Sequence, residues 1–173
     1  MSEKSNSLKM LLILGAVCLL SALALSYTHN LTEQKIAENR QIIIEKAVFK
    51  VIPDISKYEK IMDNPTIYKG MKKGEVKGYA VISQGMGFQG NIKLMIGMGP
   101  QIDTVTGVEI LESVETPGLG DRIKTKDFLS QFRKKDIPKS GEIKVDAITG
   151  ATVSSEAVQR IVNKGIENAQ RIY

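Results

Sequence analysis

Apolar and polar positions divide the chain into stretches of different period. Residues 1–9 are polar, with Lys4 and Lys9, and Met10 to Tyr27 is apolar apart from Ser21 and Ser26. That run of about 18 residues is just long enough to span the hydrocarbon of a bilayer. From Leu31 to Ile52 the pattern becomes helical. Ile36, Ile43, Ile44, Ala47, Val48, Val51 and Ile52 recur on one side, Thr32 with Glu33 and Gln34 makes a start, and Pro53 makes a stop. Strand character follows at Tyr58 to Met62 and Thr66 to Tyr68. Lys73-Gly74 then reads as a hairpin turn into Val76 to Ser83, where Val76, Gly78, Ala80 and Ile82 alternate with their neighbours. Further strands are expected at Asn91 to Met98 and Gln101 to Leu111. A helix from Thr125 or Lys126 carries Phe128, Leu129 and Phe132 on one face and ends before Pro138, and a short strand is expected at Glu142 to Val145. A last helix from about Ser155 to Arg171 is marked by Val158, Ile161, Val162, Ile166 and Ala169. Strands between flanking helices read as α+β, with a small antiparallel or mixed sheet preceded by one transmembrane helix. The expected division is 1–9 as N-terminus, 10–27 as anchor, 28–53 as helical stalk and 54–173 as the folded domain.

A cleavable signal peptide is the rival reading of the apolar run, since Ala22-Leu23-Ala24 resembles a cleavage site. A retained anchor is favoured because the run is longer than a usual signal core and a helical pattern resumes almost at once. Val17 ahead of Cys18 argues against a lipoprotein, which needs a small residue there. Lys4 and Lys9 before the span put the N-terminus in the cytoplasm and the domain outside it, a single-pass arrangement in the cell membrane.

Net charge is +5, with 24 basic and 19 acidic residues among 173. The basic residues are scattered and there is no Trp, so a nucleic-acid partner is not expected. The short clusters Lys69, Lys72, Lys73 and Arg133, Lys134, Lys135 read as solvated faces, with an acidic partner or anionic lipid as the alternative. Cys18 is the one cysteine and His29 the one histidine, both in or beside the apolar run. An Fe–S cluster, a zinc finger or a bis-His haem cannot be built from this chain alone. A Ser-His or Cys-His nucleophile is equally excluded from the domain. No catalytic residue and no metal ligand is assigned, so any redox chemistry must come from an organic cofactor.

The chemically informative stretch is Asp146-Ala147-Ile148-Thr149-Gly150-Ala151-Thr152-Val153-Ser154-Ser155. Ser154 or Ser155 is the expected N-cap of the last helix and Glu156 its first-turn acid, which puts Thr152 just ahead of the helix. Backbone N–H groups there suit a phosphate, and Gly150 and Ala151 leave room for a bulky ligand. A plain capped turn explains part of this pattern. The full Asp-x-x-Thr-Gly-Ala-Thr spacing should arise by chance in roughly one chain in a thousand of this length. It resembles the flavinylation motif of the FMN-binding domain family, found in the G subunit of the Rnf electron-transport complex and the C subunit of the sodium-pumping NADH:quinone reductase. The resemblance implies FMN joined by a phosphoester to Thr152 by a dedicated flavin transferase. Asp146, Thr149, Gly150, Ala151, Ser154 and Ser155 would form the rest of the motif. The second family hallmark, Glu115-Thr116-Pro117-Gly118-Leu119-Gly120, is complete, and the resemblance implies that all six residues lie against the flavin. Gly87-Phe88-Gln89-Gly90 is similar to a glycine-aromatic-x-glycine turn of the same family. Ser113 stands where many relatives carry His, which puts in doubt any proton relay through that position.

What the resemblance implies is a covalent-FMN electron-transfer subunit of a membrane-bound Rnf-type complex. Such a complex couples ferredoxin:NAD electron transfer to ion translocation, so the chain would be a redox subunit of a translocase and not catalytic alone. Its partners would be the other membrane subunits, and the flavin transferase during maturation. Two other readings stay open. One is an FMN-carrying domain of another membrane redox system, such as the sodium-pumping quinone reductase or an anaerobic reductase partner. The other is an anchored scaffold whose motif is never modified.

Overall fold

The computed structural model describes residues 2–138 and 142–171. Contacts divide the chain into two units, Met1–Ile42 and Ile43–Tyr173. The apolar run and the amphipathic stretch after it belong to one helix, α1 (Ser2–Val51), rather than an anchor followed by a separate stalk helix. The expected start at Thr32 is absent for a local reason. Thr28 and Thr32 donate their hydroxyls to Ala24 O (2.8 Å) and Thr28 O (2.9 Å), one turn back inside the same helix. The helix is long and apolar enough to cross a membrane, and its large apolar side chains from Met10 to Leu25 are exposed.

In the second unit a six-stranded sheet runs in chain order, each strand antiparallel to the next: β1 (Lys57–Asp63), β2 (Thr66–Lys72), β3 (Glu75–Met86), β4 (Asn91–Met98), β5 (Thr104–Ser113) and β6 (Lys135–Asp136). The expected Lys73-Gly74 hairpin is present, both residues having positive φ (52° and 85°), the geometry that matches strand twist. β5 starts three residues later than its sequence pattern because Gly99–Ile102 is a turn, closed by Ile102 N to Gly99 O (3.1 Å) with Ile102 at φ 53°.

The central strands are covered on both faces. Tyr79, Val81, Leu94 and Ile96 pack in the cluster that includes Val158, Ile161 and Val162 of α3 (Thr152–Gln170). On the opposite face Tyr68, Ala80 and Met95 meet Ala47, Val48, Val51 and Ile52. Two-sided burial explains why β3 and β4 are apolar at successive positions. Of the predicted helix face, Ala47 to Ile52 enters this core, whereas Ile36 and Ile43 stay exposed. The end of α1 is held by Thr106 Oγ1 donating to Val51 O (2.5 Å) and by Lys50 against Glu109 (2.6 Å).

Three expectations downstream of β5 change. The helix at Lys126 is a short one, α2 (Lys126–Ser130). Lys134, at φ 59°, turns the chain so that its N–H reaches Val105 O (2.7 Å) and Lys135–Asp136 pairs with β5. Edge carbonyls of β5 thus capture residues whose apolar spacing was helical. Glu142 to Val145 pairs with no strand among the described residues. Side-chain amides of α3 serve its backbone instead. Asn163 both accepts from Ile143 N (2.9 Å) and donates to Ile143 O (3.2 Å), and Gln159 accepts from Val145 N (3.1 Å). The last helix starts at Thr152, three residues before its expected start.

A Cβ on Gly97 of β4 would lie 2.2 Å from Val51 O and 2.6 Å from Thr106 Oγ1, so α1 seats on bare backbone. Gly97→Ala should destabilise the domain by about 1–3 kcal/mol, the usual cost of overpacking. Denaturant unfolding of the detergent-purified chain followed by tyrosine fluorescence checks this. An unchanged midpoint would mean that the end of α1 is not packed as described.

Candidate functional site

The two sequence hallmarks meet around one buried carboxylate. β5 delivers Glu115 to a position where only 5% of its surface is exposed. Its Oε1 accepts from the N–H groups of Phe88 (2.9 Å) and Gln89 (3.1 Å), in the turn joining β3 to β4. Its Oε2 accepts from Ser154 Oγ (2.5 Å), in the first turn of α3. Burial is the largest single influence on this carboxyl and acts to raise its pKa. The Ser154 hydroxyl and the N–H groups of Gln89, Phe88 and Gly90 together outweigh it, leaving the pKa below its ordinary value near 4.5. The carboxylate also dictates its neighbours. A Cβ on Gly87 would sit 2.2 Å from Oε1, and one on Gly120 would sit 2.5 Å from Oε2.

Above this carboxylate lies a cleft of about 280 Å³. Glu115, Thr116, Leu119 and Gly120 form one wall, and Gly150, Ala151, Thr152, Val153 and Ser154 form the other. Phe88 closes one end. The rim is apolar and open to solvent, with Phe88 71%, Leu119 56% and Val153 48% exposed. Of the six predicted loop residues, Pro117 and Gly118 do not line the cleft. They make the turn, in which Gly118 (φ 76°) donates its N–H to Asp121 Oδ1 at 2.7 Å. Thr116 donates its hydroxyl to Gln89 Oε1, tying that turn to the β3–β4 turn. Ser113, in the position where a His was the family expectation, accepts from Glu115 N at 3.3 Å.

The start of α3 differs from its sequence reading. Ala151 occupies the N-cap position and offers no side-chain acceptor, so Ser154 and Ser155 are inside the helix. Ser155 turns inward, accepting from Ile148 N (3.1 Å) and donating to Ala151 O (2.9 Å). Glu156 falls past the first turn. Thr152 is the first helical residue, exposed at the cleft, and its hydroxyl has no hydrogen-bond partner among the described residues. Among those residues, no backbone or side-chain acceptor is paired with the N–H groups of Thr152, Val153 or Ser154. These groups and the helix dipole make an electropositive end facing the cleft.

Asp146 and Thr149 lie outside this cleft. Asp146 borders a second cavity of about 260 Å³ together with Arg122, Asp127 and Gln131. The Thr149 carbonyl accepts from Arg122 Nη1 at 2.9 Å. Phe88 and Val153 are site residues that motif reading had not assigned to the cofactor contacts. A bare aromatic between glycines at a hairpin tip was the signal for Phe88. Val153 had none.

A single antiparallel sheet, with its two glycine-bearing hallmark loops brought together at a helix start, defines an FMN-binding domain. The sequence model of the FMN-binding domain family matches residues 87–167, which contain both hallmarks and the β3–β4 turn. The chain is 31% identical to the G subunit of the ion-translocating oxidoreductase complex of Methanosarcina acetivorans, over 96% of both chains. It is also 31% identical to the G subunit of the Na(+)-translocating ferredoxin:NAD(+) oxidoreductase complex of Acetobacterium woodii, over 95% of this chain and 92% of that one. The chain therefore belongs to the family of G subunits of ion-translocating oxidoreductase complexes. Among solved structures, the C subunit of the Na(+)-translocating NADH-quinone reductase of Parabacteroides distasonis aligns with a TM-score of 0.56 at 21% identity, covering 68% of this chain and 77% of that one. NqrC of Shewanella oneidensis aligns at 0.53 and 24%, covering 63% and 62%. These two share the fold.

Glu115→Gln should cost about 1.5–3 kcal/mol at pH 7, the value of a hydrogen bond to a charged acceptor. Because the folded-state pKa is lowered, the carboxylate stabilises the fold above its unfolded value and loses that contribution as pH falls through the folded pKa. The gap between wild type and Glu115→Gln should therefore be full at pH 7 and shrink below about pH 4.5. Thermal midpoints across that range test it, and a pH-independent gap would contradict the assigned charge.

Proposed function

We propose that this chain carries FMN covalently on Thr152 and relays electrons within a membrane-bound, ion-translocating ferredoxin:NAD oxidoreductase complex. The observation that carries the reading is the exposed Thr152 hydroxyl at an uncapped helix start, at the wall of a cleft built by both hallmark loops. The residues present suit the group. The unpaired N–H groups of Thr152, Val153 and Ser154 at the helix start suit a phosphate ester on Thr152, and Phe88, Leu119 and Val153 offer apolar surface for a flat ring. Gly150, at φ 82°, has open space beside it, with no atom within 4 Å of where a Cβ would stand.

Attachment is a group transfer without redox change. In such a transfer Thr152 Oγ1 would bond to the flavin-side phosphorus of a flavin dinucleotide as its phosphoanhydride bond broke and the nucleotide monophosphate left. The hydroxyl proton would pass to a base on the transferase. Bound flavin supplies reversible one- or two-electron chemistry. The chain's own part is to fix the phosphate end at α3, shield part of the ring and leave the rest open to a partner. The cleft, at about 280 Å³, is at the lower limit for enclosing a ligand of this size, roughly 300–1,000 Å³. Partial coverage suits a relay better than an enzyme that must exclude water. The α1 anchor and the complex named for the relatives support a setting in the cell membrane. The lysines ahead of the apolar run support an extracytoplasmic domain, with the other subunits of the complex as partners and a flavin transferase needed for maturation.

Intact mass and in-gel flavin fluorescence after denaturation test the attachment, on wild type and Thr152→Ala from a host expressing the transferase. Wild type should gain the mass of one FMN minus water and fluoresce, and Thr152→Ala should do neither. Thr152→Ser, which keeps a hydroxyl, should retain part of the label. An unmodified wild type would favour the scaffold reading. Protease added to intact spheroplasts should reach the domain, and protection would reverse the assigned side.

A further inference from the structure

Resting on that reading, we propose that Gln131 and Arg122, neither of which belongs to a family hallmark, are positioning residues for flavin attachment to Thr152. The segment entering the motif, residues 143–146, has no strand neighbour among the described residues, and its backbone is served by side-chain amides in sequence. Asn163 pairs with Ile143, Gln159 with Val145, and Gln131 with Asp146. Gln131 binds both backbone groups of Asp146, accepting from its N–H (2.8 Å) and donating to its carbonyl (3.2 Å). Three residues on, Arg122 Nη1 donates to Thr149 O (2.9 Å). Ser155 Oγ takes the Ile148 N–H, and Ala151 N closes on Ile148 O (2.8 Å). The loop from Asp146 to Ala151 is thus fixed from outside at its first and fourth residues and from α3 at its third.

This arrangement answers a need of the chemistry. The loop is exposed at Asp146, Ala147, Thr149 and Gly150, and its one large apolar side chain, Ile148, is only half-buried against the core, so packing fixes the loop at that point and leaves the residues either side to hydrogen bonds. Gly150, at positive φ, adds freedom just before the acceptor residue. A transferase that recognises Asp146 and Thr149 while acting on Thr152 needs the three at fixed separations. Gln131, from the end of α2, and Arg122, from the 3-10 turn Gly120–Lys124, supply that spacing from a neighbouring cavity that does not include Thr152. They touch neither the cleft nor Thr152. Their effect is on presentation of the acceptor, since misplacement of a reacting group by about 1 Å can cost a hundredfold in rate.

The test is the rate of flavin incorporation into the full-length, detergent-purified chain, using purified transferase and flavin adenine dinucleotide, with thermal midpoints measured in parallel. Gln131→Leu and Arg122→Leu should each slow incorporation by about tenfold or more. Arg122→Lys, which keeps a cationic donor, should recover part of the rate. Asn163→Leu loses two hydrogen bonds of the same type, farther from the motif, and should lower the midpoint while leaving the rate within about twofold of wild type. If Gln131→Leu does not fold, Gln131→Glu keeps the acceptor for Asp146 N–H but loses the donor, and should still be slow. Wild-type rates in the Gln131 and Arg122 variants would overturn the proposal. So would a slowing in Asn163→Leu as large as theirs, because the amides would then act only through stability. A wild-type chain that takes up no flavin would overturn it together with the covalent reading, and is told apart by failure of the wild type itself.

Discussion

The buried carboxylate of Glu115 is the interaction on which the site depends. Three separate segments converge on it: the β3–β4 turn, the loop leaving β5 and the first turn of α3. The turn and the helix each send one or more hydrogen-bond donors to the two oxygens that the loop supplies. Hydrogen bonds to a charged acceptor are worth about 1.5–3 kcal/mol apiece, enough together to offset the cost of taking the charge out of water. The glycines of both loops follow from this. Gly87 and Gly120 are bare because a Cβ at either position would collide with the carboxylate. The acid of the Glu-Thr-Pro-Gly-Leu-Gly hallmark is therefore occupied in building the cleft, and both of its oxygens are already engaged by the protein.

A second constraint acts at the start of α3. A Ser, Thr, Asn or Asp at the cap would stabilise the helix by about 0.5–2 kcal/mol relative to Ala. The chain places Ala151 there and buries Ser154 and Ser155 in other hydrogen bonds. The three N–H groups at the helix start, which include those a cap would have satisfied, are left facing the cleft. Local stability is given up where an anionic group is to be held, the pattern expected where function conflicts with local propensity.

Much of this architecture was legible in the sequence because it depends on local signals. The Lys73-Gly74 hairpin, the apolar strands, the last amphipathic helix and both hallmark loops follow from turn chemistry and periodicity. The misread parts are those in which other groups override local preference. Thr32 reads as a helix start until its hydroxyl is seen to bond backward within α1. Ser154 reads as a cap until Glu115, 39 residues away, claims its hydroxyl. Phe132 and its neighbours read as a longer helix until the edge of β5 draws Lys135–Asp136 into the sheet. Glu142 to Val145 has strand composition but finds amides in place of a strand, and no periodicity encodes such a partner. Gln131 and Arg122 were invisible for the same reason, since an amide and a guanidinium on short helical turns look like solvated surface.

The geometry also bears on what kind of redox protein this is. An enzyme that transforms a bound substrate needs a closed site and groups that move protons. Here the one histidine lies in α1, the Glu115 carboxylate is held ionised by four donors, and the cleft is shallow. A flavin held at its phosphate end by α3 would keep much of its ring at the surface, beside the exposed Phe88, Leu119 and Val153. Contiguous apolar side chains of this size at the rim of a site are costly to leave in water and are expected where a ligand or partner covers them. The same openness that makes the site a poor reaction vessel would let an electron donor and acceptor approach the edge of a bound ring in turn. Permanent attachment at Thr152, as proposed, would solve the problem that such a cleft creates, because a ligand so little enclosed would otherwise be lost by dissociation.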